Sequence, residues 1–454
     1  MIPNDLAFTA MVARVSPARR MAFEVLRGVE QKRGEPAALL HASRYAALSA
    51  TDRDLATEIT YGVLRWRNRL DFVLSHHSKR PLEKIDGSIL TALRIGLYQI
   101  LFLDRVPDRA AVDEAVRLAH DFAASGGAAF VNGVLRNALR HPGEPALPSR
   151  DTDPLGYLRD SLSHPEWLAR RYVEKLGLDD AETRCRRQNE PPPVYVRVSR
   201  RINLDRAQEE LGVESERVAI LPHGLRAYSG KLRGSKLFKQ GLAIVQDAGS
   251  QLIPHLLEPS EDDVVLDICA APGGKATALA EIAHRGKVIA LDRRPRRAVV
   301  MKDLASKLGV TNLVVVAADG RKLPLRQTRR FHRILLDAPC SSLGTLRHNP
   351  DIKWRVAKRD LERHHELQLQ LLRASARALE SGGRLVYATC STEREENQDV
   401  VAAFVDSTPG FRVVPAHESL PERARHLVSS EGFFETTPER DNMDAYFAAI
   451  LTRD

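Results

Sequence analysis

A chain of 454 residues is too long for one hydrophobic core, so two or three domains are expected. Hydrophobic residues at 43% and charged residues at 28% fit an ordinary globular protein and exclude a disordered or fibrous one. No apolar run nears the roughly 20 residues of a membrane span, the opening MIPNDLAFTAMVARV does not read as a signal peptide, and a net charge of +9 favours a polyanionic partner. A cytoplasmic protein with no membrane partner is the expectation.

Residues 16–140 read as all-helical. Apolar residues recur at helical spacing in ARRMAFEVLRGVEQ, in DRDLATEITYGVLRWRNRLDFVL and in ILTALRIGLYQILFL. Ser16 followed by Pro17 predicts a helix start, with an N-cap and then proline at the first position. Asp52 is expected to open another helix in the same way. The Pro- and acid-rich stretch 141–160 reads as a linker. Two helices are expected next, around Pro165–Leu176 and Asp180–Gln188, and the run Glu190-Pro191-Pro192-Pro193 ends the second. VYVRVSRRIN then alternates like a strand. Residues 160–245 therefore suggest a small α/β module, with Arg197, Arg200, Lys231, Arg233, Lys236 and Lys239 as its basic residues.

From Asp263 onward, near-continuous apolar strands alternate with helical patterns. VVLDI, KVIALD, NLVVVAA, RILLDAP and GRLVYAT are strands. PRRAVVMKDLASKLG and RDLERHHELQLQLLRASARAL are helices, and DAYFAAILTR suits a closing strand. This pattern predicts a doubly wound parallel sheet.

Its first turn is Cys269-Ala270-Ala271-Pro272-Gly273-Gly274-Lys275, with a helix from about Lys275. Paired glycines after a strand let a ligand approach the backbone at a helix N-terminus. The turn is neither G-x-G-x-x-G nor G-x-x-x-x-G-K-[ST], so a dinucleotide fingerprint and a phosphate loop both lack support. Asp292, Asp319 and Asp337 are expected at the ends of the next three strands, facing the crevice where open α/β sheets bind ligands. An acid about 20 residues past the glycines can accept from ribose hydroxyls, so the cluster predicts a nucleoside-type site.

Four cysteines are present, Cys185, Cys269, Cys340 and Cys390, with no C-x-x-C pair, so no metal site is expected. Cys340, in Asp337-Ala338-Pro339-Cys340, and Cys390, in Thr389-Cys390-Ser391, fall at the tips of neighbouring strands. A helix expected to begin near Glu393 would favour the Cys390 thiolate. A thiolate that adds to carbon 6 of a pyrimidine makes carbon 5 nucleophilic enough to take a methyl group. An acid at the base edge, a place suited to Asp337, would stabilise the charge that develops. The residues alone leave open which cysteine attacks.

VQDAGSQ at 245–251, LDICAAPGGK at 266–275, LLDAPCSSLGTLRHNPDIKW at 335–354 and LVYATCSTEREEN at 385–397 resemble the Fmu/Sun (RsmB) family of bacterial ribosomal RNA cytosine-5 methyltransferases, in the wider NOL/NOP/Sun group. The N-terminal helices look like that subfamily's NusB-like RNA-binding domain, and SHPEWLARRY resembles the start of its middle domain. The resemblance implies a NusB-like helical domain over 12–145, a small α/β RNA-binding module over 160–245 and a Rossmann-like methyltransferase domain over 246–454. It implies S-adenosyl-L-methionine bound by Cys269, Ala270, Ala271, Pro272, Gly273, Gly274, Lys275, Asp292, Asp319 and Asp337. It makes Cys390 the nucleophile and gives Cys340 a part in product release. The implied substrate is small-subunit (16S) ribosomal RNA before full assembly, acted on by a monomer.

Three positions depart from the family pattern. Ser342 stands where PCSG-type members have glycine, Asp444-Ala445-Tyr446-Phe447 replaces DGFF, and Ser199 replaces the Asn of an RVN motif. None is expected to touch the chemistry. Two rivals remain. One is cytosine-5 methylation of transfer RNA or DNA, the DNA enzymes using the PC-type cysteine as nucleophile. The other is a non-enzymatic RNA-binding or antitermination factor with a vestigial fold.

Overall fold

The computed structural model describes residues 15–123, 125–228, 232, 234–324 and 330–454. The N-terminal segment before Val15, and Lys231 and Arg233 of the expected basic set, lie outside the described residues. The chain divides into two compact units: residues 1–189 with 349–354, and residues 190–348 with 355–454.

The first unit is helical. Helices Pro17–Glu30, Ala50–Arg65, Arg67–His77, Gly87–Phe102, Asp108–Phe122 and Gly127–Arg140 turn their apolar stripes onto one core. Pro17 opens the first helix, but the Ser16 side chain caps nothing; its hydroxyl accepts from Arg19 at 3.1 Å. Asp52 is not a cap either. The helix begins at Ala50, and the Ser49 hydroxyl accepts the Asp52 N–H at 3.0 Å, leaving the acid in the first turn, where the helix dipole favours it. Arg94 is buried here with its partners: it is held by Asp71 at 2.7 and 2.8 Å and by Glu30 at 2.9 Å.

The second half of the expected linker is helical. Asp153 caps the turn Pro154–Gly156, a π-helical stretch Tyr157–Ser161 follows, and Leu158 and Asp160 are buried. Helix Glu166–Asn189 is broken at Gly177, whose φ of 77° is left-handed, so it forms the two expected helices. The segment 349–354 belongs to this unit through Lys353, a buried residue whose ammonium donates to Asn189 Oδ1 at 2.7 Å, Ser163 O at 3.1 Å and Arg65 O at 3.4 Å.

The second unit holds two sheets. The smaller has strands β1 (Val194–Val198), β2 (Ser215–Arg217), β3 (Gly224–Ala227) and β4 (Ala243–Val245), all antiparallel, in the order β2-β3-β1-β4. β1 is shorter than VYVRVSRRIN because the chain turns at Ser199, a buried residue whose N–H donates to Leu242 O at 2.8 Å. The larger sheet holds β5 (Val264–Ile268), β6 (Lys287–Asp292), β7 (Leu313–Ala317), β8 (Phe331–Asp337), β9 (Leu379–Thr389), β10 (Phe411–Val414), β11 (Phe434–Glu435) and β12 (Phe447–Arg453). Its order is β10-β12-β9-β8-β5-β6-β7, with β11 on β12. The strands β5 to β9 pair in parallel, whereas β12 runs antiparallel against β9, so the sheet is mixed rather than wholly parallel. Apolar clusters fill both faces of this sheet. Between β5 and β8 the chain order reverses, and loops from both sides open there at the C-terminal ends of the strands. Among the described residues, no helix is long and apolar enough to cross a membrane.

Candidate active site

The turn after β5 is built for close approach. Cys269 is left-handed at φ 65°, Gly273 sits at φ 106°, and helix Gly274–Ile282 starts immediately after. Ala270 N–H donates to Leu291 O at 2.8 Å and ties the turn to β6. From the smaller sheet, Arg197 reaches Gly274 O and, at 2.8 Å, Thr277 Oγ1. Arg197 is therefore a buried brace of this helix and no surface cation; Arg200, Lys236 and Lys239 are exposed.

The acids differ in their surroundings. Asp292 is buried at the end of β6, with Oδ1 accepting Arg294 N–H at 2.8 Å, and Arg297 stands 3.8 Å from Oδ2. Asp319 lies two residues beyond β7, and Arg321 grips it at 2.6 to 3.1 Å and lowers its carboxyl to about 2. Asp337 ends β8 and accepts the Lys275 ammonium at 2.9 Å. Lys275 was expected only as a cofactor-loop residue. Its burial opposes its charge, but Asp337 outweighs that and raises its pKa. The Tyr446 ring centroid is 5.4 Å from Lys275 Nζ.

Asp267 was missed at the sequence level. It is buried in β5, neither carboxylate oxygen has a hydrogen-bond partner among the described residues, and burial, then Asp337, pushes its carboxyl well up. A lone acid inside the apolar run VVLDI was the available signal. Burial and the surrounding acids likewise push the Cys269 thiol far up, which leaves it a poor nucleophile.

Cys340, after β8, and Cys390, after β9, do converge: their sulfurs are 3.4 Å apart. The two thiols are unequal. Cys390 is held below the ordinary thiol value by the Cys340 thiol, by the Ser342 hydroxyl and by the Lys275 charge. Cys340 is held well above it, first by Cys390 itself, then by burial, with Glu396 adding to the shift. The expected helix near Glu393 is absent as such: a short 3-10 turn covers Arg394–Glu396, and the α-helix starts at Gln398. Side-chain donors and a lysine therefore do what the helix terminus was expected to do.

Glu396 ties the two cysteine loops together. It is fully buried and accepts from Ser341 N at 2.7 Å, from Ser341 Oγ at 2.5 Å and from Ser391 Oγ. His364 Nδ1 stands 2.9 Å away, off the line of a hydrogen bond. Gly344 links the same loops to the C-terminal strand: its N–H donates to Cys390 O at 3.0 Å, and its carbonyl accepts Ala445 N–H at 2.9 Å. Two of the three departures thus reach the site after all. Ser342 Oγ lies 3.4 Å from Cys390 Sγ, and the Ala445-Tyr446 pair holds Gly344 and faces Lys275. Ser199 makes only a turn.

Three family models match consecutive stretches of the chain: the NusB family over residues 16–140, the ferredoxin-like domain of RsmF/B-like methyltransferases over 164–229, and 16S rRNA methyltransferase RsmB/F over 254–452. The probable ribosomal RNA small subunit methyltransferase B of Bacillus subtilis is 35% identical over 96% of this chain and 98% of its own length. The ribosomal RNA small subunit methyltransferase B of Sodalis glossinidius is 35% identical over 86% of this chain and 90% of its own. Among solved structures, PH0851 superposes with a TM-score of 0.81 at 25% identity, covering 97% of this chain and 100% of that one.

Proposed function

This chain belongs to the 16S rRNA methyltransferase RsmB/F family, with a helical NusB domain, a ferredoxin-like middle domain and a C-terminal methyltransferase domain, and on that footing we propose that it methylates carbon 5 of one cytosine in small-subunit ribosomal RNA, with Cys390 as covalent nucleophile and S-adenosyl-L-methionine as methyl donor. The observation that carries the reading is the pair of thiols 3.4 Å apart beside the Lys275–Asp337 pair.

The donor set fits the cofactor. Asp267 offers two buried carboxylate oxygens without partners, which suit an ammonium, and Asp292 follows the glycine turn at the place of a ribose acceptor. Cys269, Ala270, Ala271, Pro272, Gly273, Gly274, Lys275, Asp319 and Asp337 would complete the binding set. When bound, the cofactor supplies an electrophilic methyl group.

Cys390 Sγ adds to C6 of the cytosine, and Asp337 with Lys275 faces the base edge and balances the charge pushed onto the ring. After C5 has taken the methyl group, a base must accept its proton as the C5–C6 double bond re-forms and the Cys390–C6 bond breaks to return the thiolate. Cys340 is suited to assist then. Its thiol is held protonated chiefly by Cys390, and that hold ends once Cys390 is bonded to carbon. In this reading residues 12–145 and 160–245 grip the RNA, residues 246–454 do the chemistry, and a cytoplasmic monomer acts before the small subunit is fully assembled.

Bisulfite sequencing of 16S ribosomal RNA from cells lacking the gene tests this. One cytosine should lose its protection and regain it when the gene is restored. An unchanged protection pattern would exclude cytosine-5 methylation of that RNA.

A further inference from the structure

Ser342 is a non-glycine residue held in the left-handed region, at φ 61° and ψ 22°. Side chains seldom occupy that region, and at a reactive site such an outlier points to a function. Its neighbours fix it from both sides. Ser341 is clamped by Glu396 through two hydrogen bonds, and the Ser342 carbonyl accepts both Thr345 N–H and Thr345 Oγ1 at 3.0 Å. The side chain so placed is half-buried, 3.4 Å from Cys390 Sγ and 4.0 Å from Cys340 Sγ.

We propose that Ser342 is a catalytic residue of the thiol pair: its hydroxyl donates a hydrogen bond to the Cys390 thiolate, and the strained backbone is what aims it there. While Cys390 is a thiol, the sulfur donates to Ser342 Oγ. When the proton leaves, the hydroxyl rotates and becomes the donor, a reversal that a hydroxyl can make and a hydrogen or methyl group cannot. Cys340 donates from the other side, so the thiolate is met by two donors before any RNA arrives. Of the other groups around the pair, Lys275 favours the Cys390 thiolate and Asp337 and Tyr446 face it, while Glu396 and Tyr387 face Cys340. None of these is altered by a change at Ser342. The proposal takes Cys390 as the nucleophile from the reading above, but its test does not.

The test is iodoacetamide alkylation of the full chain across pH, with each cysteine followed by mass spectrometry, in the absence of RNA and cofactor. The parent is compared with Ser342→Gly and Ser342→Ala. Only glycine relieves the left-handed backbone, so Ser342→Gly should melt no lower than the parent, while both variants lose the donor. In both, the midpoint for Cys390 should rise by roughly half to one pH unit, slowing its alkylation at pH 7 about three- to tenfold. Unchanged Cys390 alkylation in both variants overturns the proposal, as does an equal slowing at Cys340. If alkylation slows as expected and Cys390→Ala still methylates RNA, the reading of Cys390 as nucleophile fails while the Ser342 contact stands.

Discussion

Asp292, Asp319, Asp337 and Asp267 gather at four adjacent strand ends, and their partners separate their roles. Asp319 is neutralised by Arg321, and Asp337 by Lys275. Asp267 has no hydrogen-bond partner among the described residues, and Asp292 spends one oxygen on a backbone N–H. Asp292 can therefore still accept from a ribose hydroxyl. Asp292→Ala should raise the S-adenosyl-L-methionine dissociation constant at least about tenfold, since a hydrogen bond to a charged group is worth roughly 1.5–3 kcal/mol. An unchanged constant in titration calorimetry would leave Asp292 only the start of helix Pro295–Lys307. At this scale the strand-tip acids and the two thiols could be read from the sequence, because strand ends follow from apolar runs. Asp267 left only one mark in the sequence, a lone acid inside an apolar run, and its role shows only in its burial and its unpaired oxygens. The contacts of Ser342 and Tyr446 depend on a left-handed turn and on a strand from the far end of the chain, and no local period encodes either.

The elements of the site are loops tied to one another by hydrogen bonds. Glu396 is the knot: it lies on the 3-10 turn after Cys390 and accepts the backbone N–H that follows Cys340. Glu396→Gln keeps the shape but points an amide NH₂ toward groups that are themselves donors, so one loop loses its acceptor. The expected result is a fall in kcat of about 10- to 100-fold, the rate equivalent of roughly 1.5–3 kcal/mol. Cofactor affinity should change less than about threefold, because the β5 turn is held by other bonds. A loss confined to cofactor binding in steady-state and titration measurements would contradict this role. The order of strands and helices was legible, since periods of 2 and 3.6 are local signals. The antiparallel entry of β12 was not, because direction depends on the route of the return. The helices at Pro154–Ser161 were hidden by the prolines and acids that made 141–160 look like a linker. The helix start expected near Glu393 fell one turn further on because Arg394–Glu396 closes as a 3-10 turn.

At the scale of the whole molecule, the positive charge favoured a polyanionic partner and the NusB-like resemblance of the N-terminal helices pointed to RNA; the RsmB/F family matched over residues 254–452 is one of 16S rRNA methyltransferases. The division into units does not follow the order of the chain. Residues 349–354, from the stretch after Cys340, belong with the helices, where Lys353 and Trp354 donate to the carbonyls of Arg65 and Leu64. Cutting away the first 145 residues would leave those donors without these acceptors, so the chemistry is best tested on the intact chain. The most direct measurement is a denaturing gel of full-length protein after incubation with 16S ribosomal RNA and S-adenosyl-L-methionine. With Cys340→Ala, attack and methyl transfer remain possible but release is impaired, so a slow-migrating protein–RNA band should accumulate. With Cys390→Ala no such band and no methylated RNA should form. A band from Cys390→Ala, or full turnover by both variants, would contradict the assignment of Cys390 as the nucleophile.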